Sequence, residues 1–333
     1  MRGRDATVDS LRGIACILLV TLHVAQTNWG EAGYLEWYAD SFAYVRMPLF
    51  AFLSGVVYAW RPLTDRTRYG TFVSKKVRRL LIPYLVFVPA MGIAQLALDF
   101  GTPPPAGPWN WILYSIAPYW FLLATFWVYA AVALLDSFGL LKRPLHVGAL
   151  FAALLAVNLL VNLQDASGFL QFANALYLGL FFVAGLAATR FGWKDVGLPA
   201  ALAVTGLTVA LFAYTQLAVL DVWSIADSHR QDVFGLALGI AFPLAFIGLG
   251  LSSRFLAWIG VYSYGIFLLH PFAVAATSAA LGIVGVESLI VKLAVTSIAG
   301  VFGSILGVWL LRKVAPGRVI LGESARKKEF VAA

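Results

Sequence analysis

The sequence predicts an all-α, polytopic transmembrane bundle of about ten spans. Three observations predict it. Hydrophobic residues make up 61% and charged residues 12% of the 333 positions, far from the roughly one-quarter charged residues of soluble domains. Apolar runs of spanning length recur from Leu11 to Leu311 without a polar block long enough to fold separately. The Lys and Arg residues between those runs fall on alternate connectors.

A spanning helix needs roughly 20 mostly apolar residues. The expected spans are residues 11–28, 42–60, 80–98, 116–135, 146–163, 172–189, 196–220, 233–251, 262–281 and 288–311. No small-x-small cleavage site follows His23, so the first run is read as an uncleaved span. Residues 1–333 are read as one membrane domain of the cytoplasmic membrane.

Basic residues close to span ends are retained in the cytoplasm. Arg2 and Arg4, the block Arg61 to Arg79, Lys142 and Arg143, Arg190 and Lys194, Arg254, and Lys313 to Lys328 fall on one side. Glu31, Glu36, Asp40, Asp99, Asp165, Asp221, Asp227 and Glu287 fall on the other, with Arg230 as that side's one base. This predicts both termini inside. It also makes the net charge of +8 a topological signal, so no nucleic-acid partner is read from it. Residues 100–108 carry GTPPPAGP after their Phe, a composition that predicts a rigid non-helical connector. Cys16 is the single cysteine and lies inside the first run, which leaves no disulfide framework and no metal site.

Ionisable groups at membrane depth are costly and mark functional cavities by default. The first span holds Arg12 near its start and His23 well inside. Eleven residues at about 100° each come within about 20° of three full turns, so the two share a face, about 16 Å apart along the axis. A cation at the cytoplasmic mouth and a base deep on the same stripe suit a polyanionic molecule inserted lengthwise. Asp9, three residues before Arg12, offers a plain salt bridge as the competing reading. The basic segment 61–79 reads either as an anchor on anionic lipid or as a clamp for a polyanion, with Lys76 and Arg79 at the start of the third span, where the helix dipole also favours phosphate. Arg46, at the outer start of the second span, must snorkel or face a cavity. Tyr119 and Trp120 follow Pro118 at the start of the fourth span and read as an interfacial aromatic belt or as substrate-side contacts. His270 precedes Pro271, which frees a carbonyl in that helix, so a structural hydrogen bond is expected there. His146 and His229 sit at span ends or in loops.

Five blocks in order resemble acyltransferase family 3, in its sugar O-acetylase-like branch, over nearly the whole chain. They are VDSLRGIACILLVTLHV with Arg12 and His23, MPLFAFLSG from Met47, KKVRRLLIPYL from Lys75, WFLLA from Trp120, and YSYGIFLLHPF from Tyr262. The resemblance implies a membrane O-acyltransferase. It would move an acyl group, often acetyl, from cytoplasmic acyl-CoA, a co-substrate rather than a bound cofactor, to a hydroxyl of a carbohydrate or other acceptor. It implies His23 as catalytic residue, with Arg12, Lys76 and Arg79 supporting the donor. Lys76 stands where the family usually has arginine, and Arg46 where the branch has histidine. A secondary transporter of a small polar or glycan-type substrate is the rival class. It would call for repeats or paired broken helices, and the sequence shows neither.

Overall fold

The computed structural model describes residues 5–27, 29, 33–98, 103–163, 166–220, 222 and 231–324. Arg2, Arg4, Glu31, Asp99, Asp165, Asp221, Asp227, His229, Arg230, Arg326, Lys327 and Lys328 lie outside them.

The described residues form helices joined by turns, with no strand among them. In chain order the helices are α1 (Ala6–Ala25), α2 (Gly33–Ser41), α3 (Ala43–Trp60), α4 (Tyr69–Lys76), α5 (Ile82–Leu98), α6 (Pro108–Tyr114), α7 (Trp120–Ser137), α8 (Pro144–Leu160), α9 (Phe172–Arg190) and α10 (Leu198–Val219). They continue with α11 (Val233–Gly248), α12 (Arg254–Val261), α13 (Ser263–Ile283), α14 (Leu289–Ile298), α15 (Ser304–Leu311) and α16 (Ala315–Ile320). Each of the ten expected spans coincides with helix. Among the described residues, eight helical segments are long and apolar enough to cross a membrane, while α8 and α11 are shorter apolar helices of 17 and 16 residues.

Local chemistry moves several boundaries. The first helix starts at Ala6 rather than Leu11, because the Asp5 carboxylate accepts hydrogen bonds from the Thr7 and Val8 amides (3.0 and 3.2 Å) and caps it. The fourth span starts at Trp120 rather than Ile116, since residues 116–119 form a turn through Pro118. The connector around Pro103–Gly107 is non-helical as expected, but Pro108 opens the short α6, where proline is pre-organised for a first turn.

The largest departure is the basic segment. The helix begins at Tyr69, and a π-helical turn at Val77–Leu81 joins α4 to α5 without a break. Lys76 and Arg79 therefore sit in mid-helix, where no free amides point at a ligand, and the helix-dipole argument for phosphate fails for them.

Glycines set the frame. A Cβ at Gly55 of α3 would strike the backbone of Phe182 in α9, and one at Gly185 of α9 would strike the backbone of Phe52 in α3. The same reciprocal contact joins Gly13 of α1 to Leu256 and Gly260 of α12 to Asp9. Close backbone approach over small residues drives helix association where no hydrophobic effect operates. These pairs bring α3 onto α9 and α1 onto α12. Further on, α1 and α13 run side by side: Cys16 Sγ lies 3.7 Å from the Ser263 carbonyl, and the His23 and His270 rings meet one helical stretch later. Lys194, ahead of α10, donates to Asp5 (2.7 Å). Burial opposes ionisation of the Asp5 carboxyl, but the bonds from Lys194 and the Val8 amide outweigh it and hold the group below the usual carboxylate range.

Candidate active site

The site is built around two imidazoles. His23, in the last turn of α1, is half-buried, and its ring nitrogens form no hydrogen bond with a described residue. Its ring centroid lies 5.0 Å from that of His270, tilted by 41°.

His270 is fully buried. Pro271 cannot donate to the carbonyl four residues back, that of Phe267. His270 Nδ1 approaches that carbonyl at 3.0 Å and the Ile266 carbonyl at 2.9 Å. Both partners are acceptors, so Nδ1 carries the proton, and in the neutral ring Nε2 is left as an acceptor. Nε2 has no partner among the described residues. The expected structural hydrogen bond is present, and it fixes the ring that faces His23.

Toward the basic end three cations gather around two tyrosines. Lys76 Nζ lies 3.2 Å from the centroid of the Tyr129 ring, and the Arg79 guanidinium lies 3.8 Å from that of Tyr264. Arg79 Nη1 donates to the Leu321 carbonyl (3.2 Å), and the Tyr264 hydroxyl donates to the Arg79 carbonyl. Arg12 and Arg79 are both close enough to Tyr129 to act on it electrostatically. The structure therefore brings Arg12, Lys76 and Arg79 together, although α1 and the α4–α5 helix are distant in sequence. Arg12 also pairs with Asp9 (2.9 Å), so the plain salt bridge exists alongside the cluster. Tyr264 precedes His270 by six residues on one helix, which places the cluster about 9 Å from the imidazole pair along the axis.

Arg46 neither snorkels nor faces solvent. It is 6% exposed, its Nη2 donates to the Ala39 carbonyl (2.5 Å), and it stands within electrostatic reach of His23. Tyr119 is not an interfacial residue: it is fully buried between Phe87 and Phe267, and its hydroxyl donates to the Leu268 carbonyl (2.7 Å). With its one donor occupied, Tyr119 ties α7 to α13. Trp120 is half-buried, lines a cavity, and its ring meets that of Phe121 edge-on.

One buried ionic tie is not evident from the sequence pattern. Asp136 of α7, 1% exposed, accepts both Arg190 nitrogens of α9 (3.0 and 2.5 Å), and Tyr58 of α3 donates to it (2.9 Å). Arg190 counted only as a basic residue inside, and Asp136 closes an apolar run. The signal available was a carboxylate adjoining a span, which needs a partner at that depth.

A family model described as an acyltransferase domain, Acyl_transf_3, matches residues 5–313. No curated protein and no solved structure matches the chain.

Proposed function

The chain belongs to acyltransferase family 3, and as a multi-pass membrane acyltransferase we propose that it transfers an acyl group, most simply acetyl, from acyl-CoA to a hydroxyl of a carbohydrate or other acceptor. The observation that carries this reading is His23: an imidazole within a spanning helix, with no hydrogen-bonded partner among the described residues, packed against a second imidazole whose own proton is committed. A histidine that only tied helices together would spend its nitrogens on them.

In this reading the basic end faces the cytoplasm, and the cations at Arg12, Lys76 and Arg79 receive the donor's phosphates. Their present partners are aromatic faces, a carbonyl and one carboxylate, which phosphate oxygens can replace or supplement. The extended donor then reaches its thioester toward His23. The acceptor oxygen attacks the thioester carbonyl as His23 takes the hydroxyl proton. The carbon–oxygen bond forms, the carbon–sulfur bond breaks, and the proton passes from His23 to the departing thiolate. General-base catalysis of this kind contributes about 10² to 10⁴ in rate. Arg46, held by the Ala39 carbonyl, supplies a fixed positive charge near the developing oxyanion.

Inside-out membrane vesicles supplied with labelled acetyl-CoA test the reading. Label should enter envelope glycans only when the protein is present, and His23→Ala should abolish it. Equal labelling without the protein, or with His23→Ala, would remove the assignment.

A further inference from the structure

At the end of the bundle opposite the basic residues, a cavity of about 510 Å³ opens between the end of α6, the starts of α7 and α9, and the approach to α11. Its volume falls within the roughly 300–1,000 Å³ of small-molecule sites. Three observations single it out.

The first is backbone strain. Among the described residues, only Ser115, Leu170 and Gln171 have positive φ without being glycine (66°, 48° and 59°). Ser115 and Gln171 line this cavity and Leu170 adjoins it. Each such residue costs on the order of 1–3 kcal/mol, and such costs cluster at ligand sites. Gln171 is held there by its own amide, which donates to the carbonyls of Tyr114 (2.5 Å) and Gly168 (2.8 Å), while its oxygen accepts from Asn174 Nδ2 (2.6 Å).

The second is chemistry. The described lining carries no charge. It offers the indole of Trp120 and the amides of Asn174 and Gln231. Asn174 Oδ1, Trp120 Nε1 and the Gln231 amide make no hydrogen bond to a described residue. An aromatic surface beside a few free amide and indole groups suits a ligand with an apolar ring face and several hydroxyls.

The third is depth. The Tyr119 hydroxyl fixes the start of α7 to the Leu268 carbonyl, two residues before His270, or about 3 Å along α13. Trp120, the cavity-lining residue next to Tyr119, is joined to His270 by a run of ring contacts through Phe121 and Phe267.

We infer that this cavity binds an uncharged saccharide unit of the acceptor, stacked on Trp120 and hydrogen-bonded by Asn174 and Gln231. The inference rests on the acyl-transfer reading and adds the class and location of the acceptor. Because the cavity lining includes neither His23 nor His270 and reaches His270 from Trp120 only through the rings of Phe121 and Phe267, the cavity recognises the acceptor beside the reacting hydroxyl, so its loss raises KM and leaves donor binding intact.

The test uses the full chain in nanodiscs, which open both faces to solution, and labelled acetyl-CoA, with envelope glycans of the producing cells, separated by anion exchange into neutral and anionic fractions, as probe. Wild type should label the neutral fraction. Trp120→Ala and Asn174→Leu should each raise the half-saturating glycan concentration about tenfold, equivalent to about 1.4 kcal/mol, with acetyl-CoA binding unchanged. Trp120→Phe, which keeps a stacking face but loses the indole N–H, should recover part of the affinity lost in Trp120→Ala, which a folding defect would not distinguish by ring chemistry. Label confined to the anionic fraction, or unchanged half-saturation in both variants, overturns the cavity assignment alone. Absence of any transfer by wild type overturns the acyl-transfer reading and this inference with it.

Discussion

The two ends of the bundle are built from opposite chemistry. At the basic end the charged side chains of the interior are engaged within the chain: Arg190 with Asp136, Arg12 with Asp9, Lys76 on Tyr129, and Arg79 on Tyr264 and the Leu321 carbonyl. At the other end the described lining of the cavity has no charge and keeps polar atoms without a partner in the described chain. Cations held on aromatic faces can exchange those contacts for phosphate at modest cost. Uncharged amides around an indole recognise hydroxyls. On the proposed acyl-transfer function, the contrast is between a donor end and an acceptor end, with His23 and His270 facing each other between them.

Four changes probe that contrast. Gly185→Val places side-chain atoms on the Phe52 backbone and should separate α3 from α9. The frame beneath both ends would be lost, at a cost of about 3 kcal/mol or more, visible as aggregation in size-exclusion chromatography of the solubilised protein. Asp136→Ala leaves Arg190 buried without its carboxylate and should cost about 3 kcal/mol, read as a lower thermal unfolding midpoint; adding Arg190→Met should restore much of it. Arg79→Ala should weaken acyl-CoA binding about tenfold, or 1.4 kcal/mol, while leaving membrane insertion and glycan half-saturation unchanged; binding that survives both Arg79→Ala and Arg12→Ala would reduce the cluster to a topology signal. Tyr119→Phe removes one buried hydrogen bond and should cost about 1 kcal/mol of stability, with a loss of transfer no larger than the shift of α7 produces.

The bundle itself was legible, because spanning length and apolar composition are properties of contiguous residues. The His270 hydrogen bond was legible for the same reason: Pro271 frees the carbonyl four residues back, and the histidine beside it is the nearest donor. The helical course of Tyr69 to Leu98 was readable but outweighed by its charge. Lys and Arg are good helix formers, and the stretch TFVSKKVRRLL contains neither proline nor glycine. The gathering of Lys76 and Arg79 with Arg12 was legible only through the family resemblance, and the bond between Asp136 and Arg190 and the burial of Tyr119 were not legible. Each depends on contacts between residues far apart in the chain, and no local pattern encodes which span packs on which. The glycines of the LRG, LSG and SYG blocks gave a partial clue. Gly13, Gly55 and Gly265 all meet a neighbouring helix where a Cβ would not fit, so small residues in spans mark where helices touch.

If the two ends serve one reaction through His23, the His23→Gln variant separates its chemistry from its packing. Glutamine keeps hydrogen-bonding capacity at that position but cannot take the acceptor proton. In vesicles measured for both acetyl-CoA binding and label transfer to glycan, this variant should bind donor as wild type does and transfer label more slowly by about 10² or more. Transfer at the wild-type rate by the glutamine variant would contradict a catalytic His23, leaving it as a packing residue and the chemistry to be sought elsewhere in the bundle.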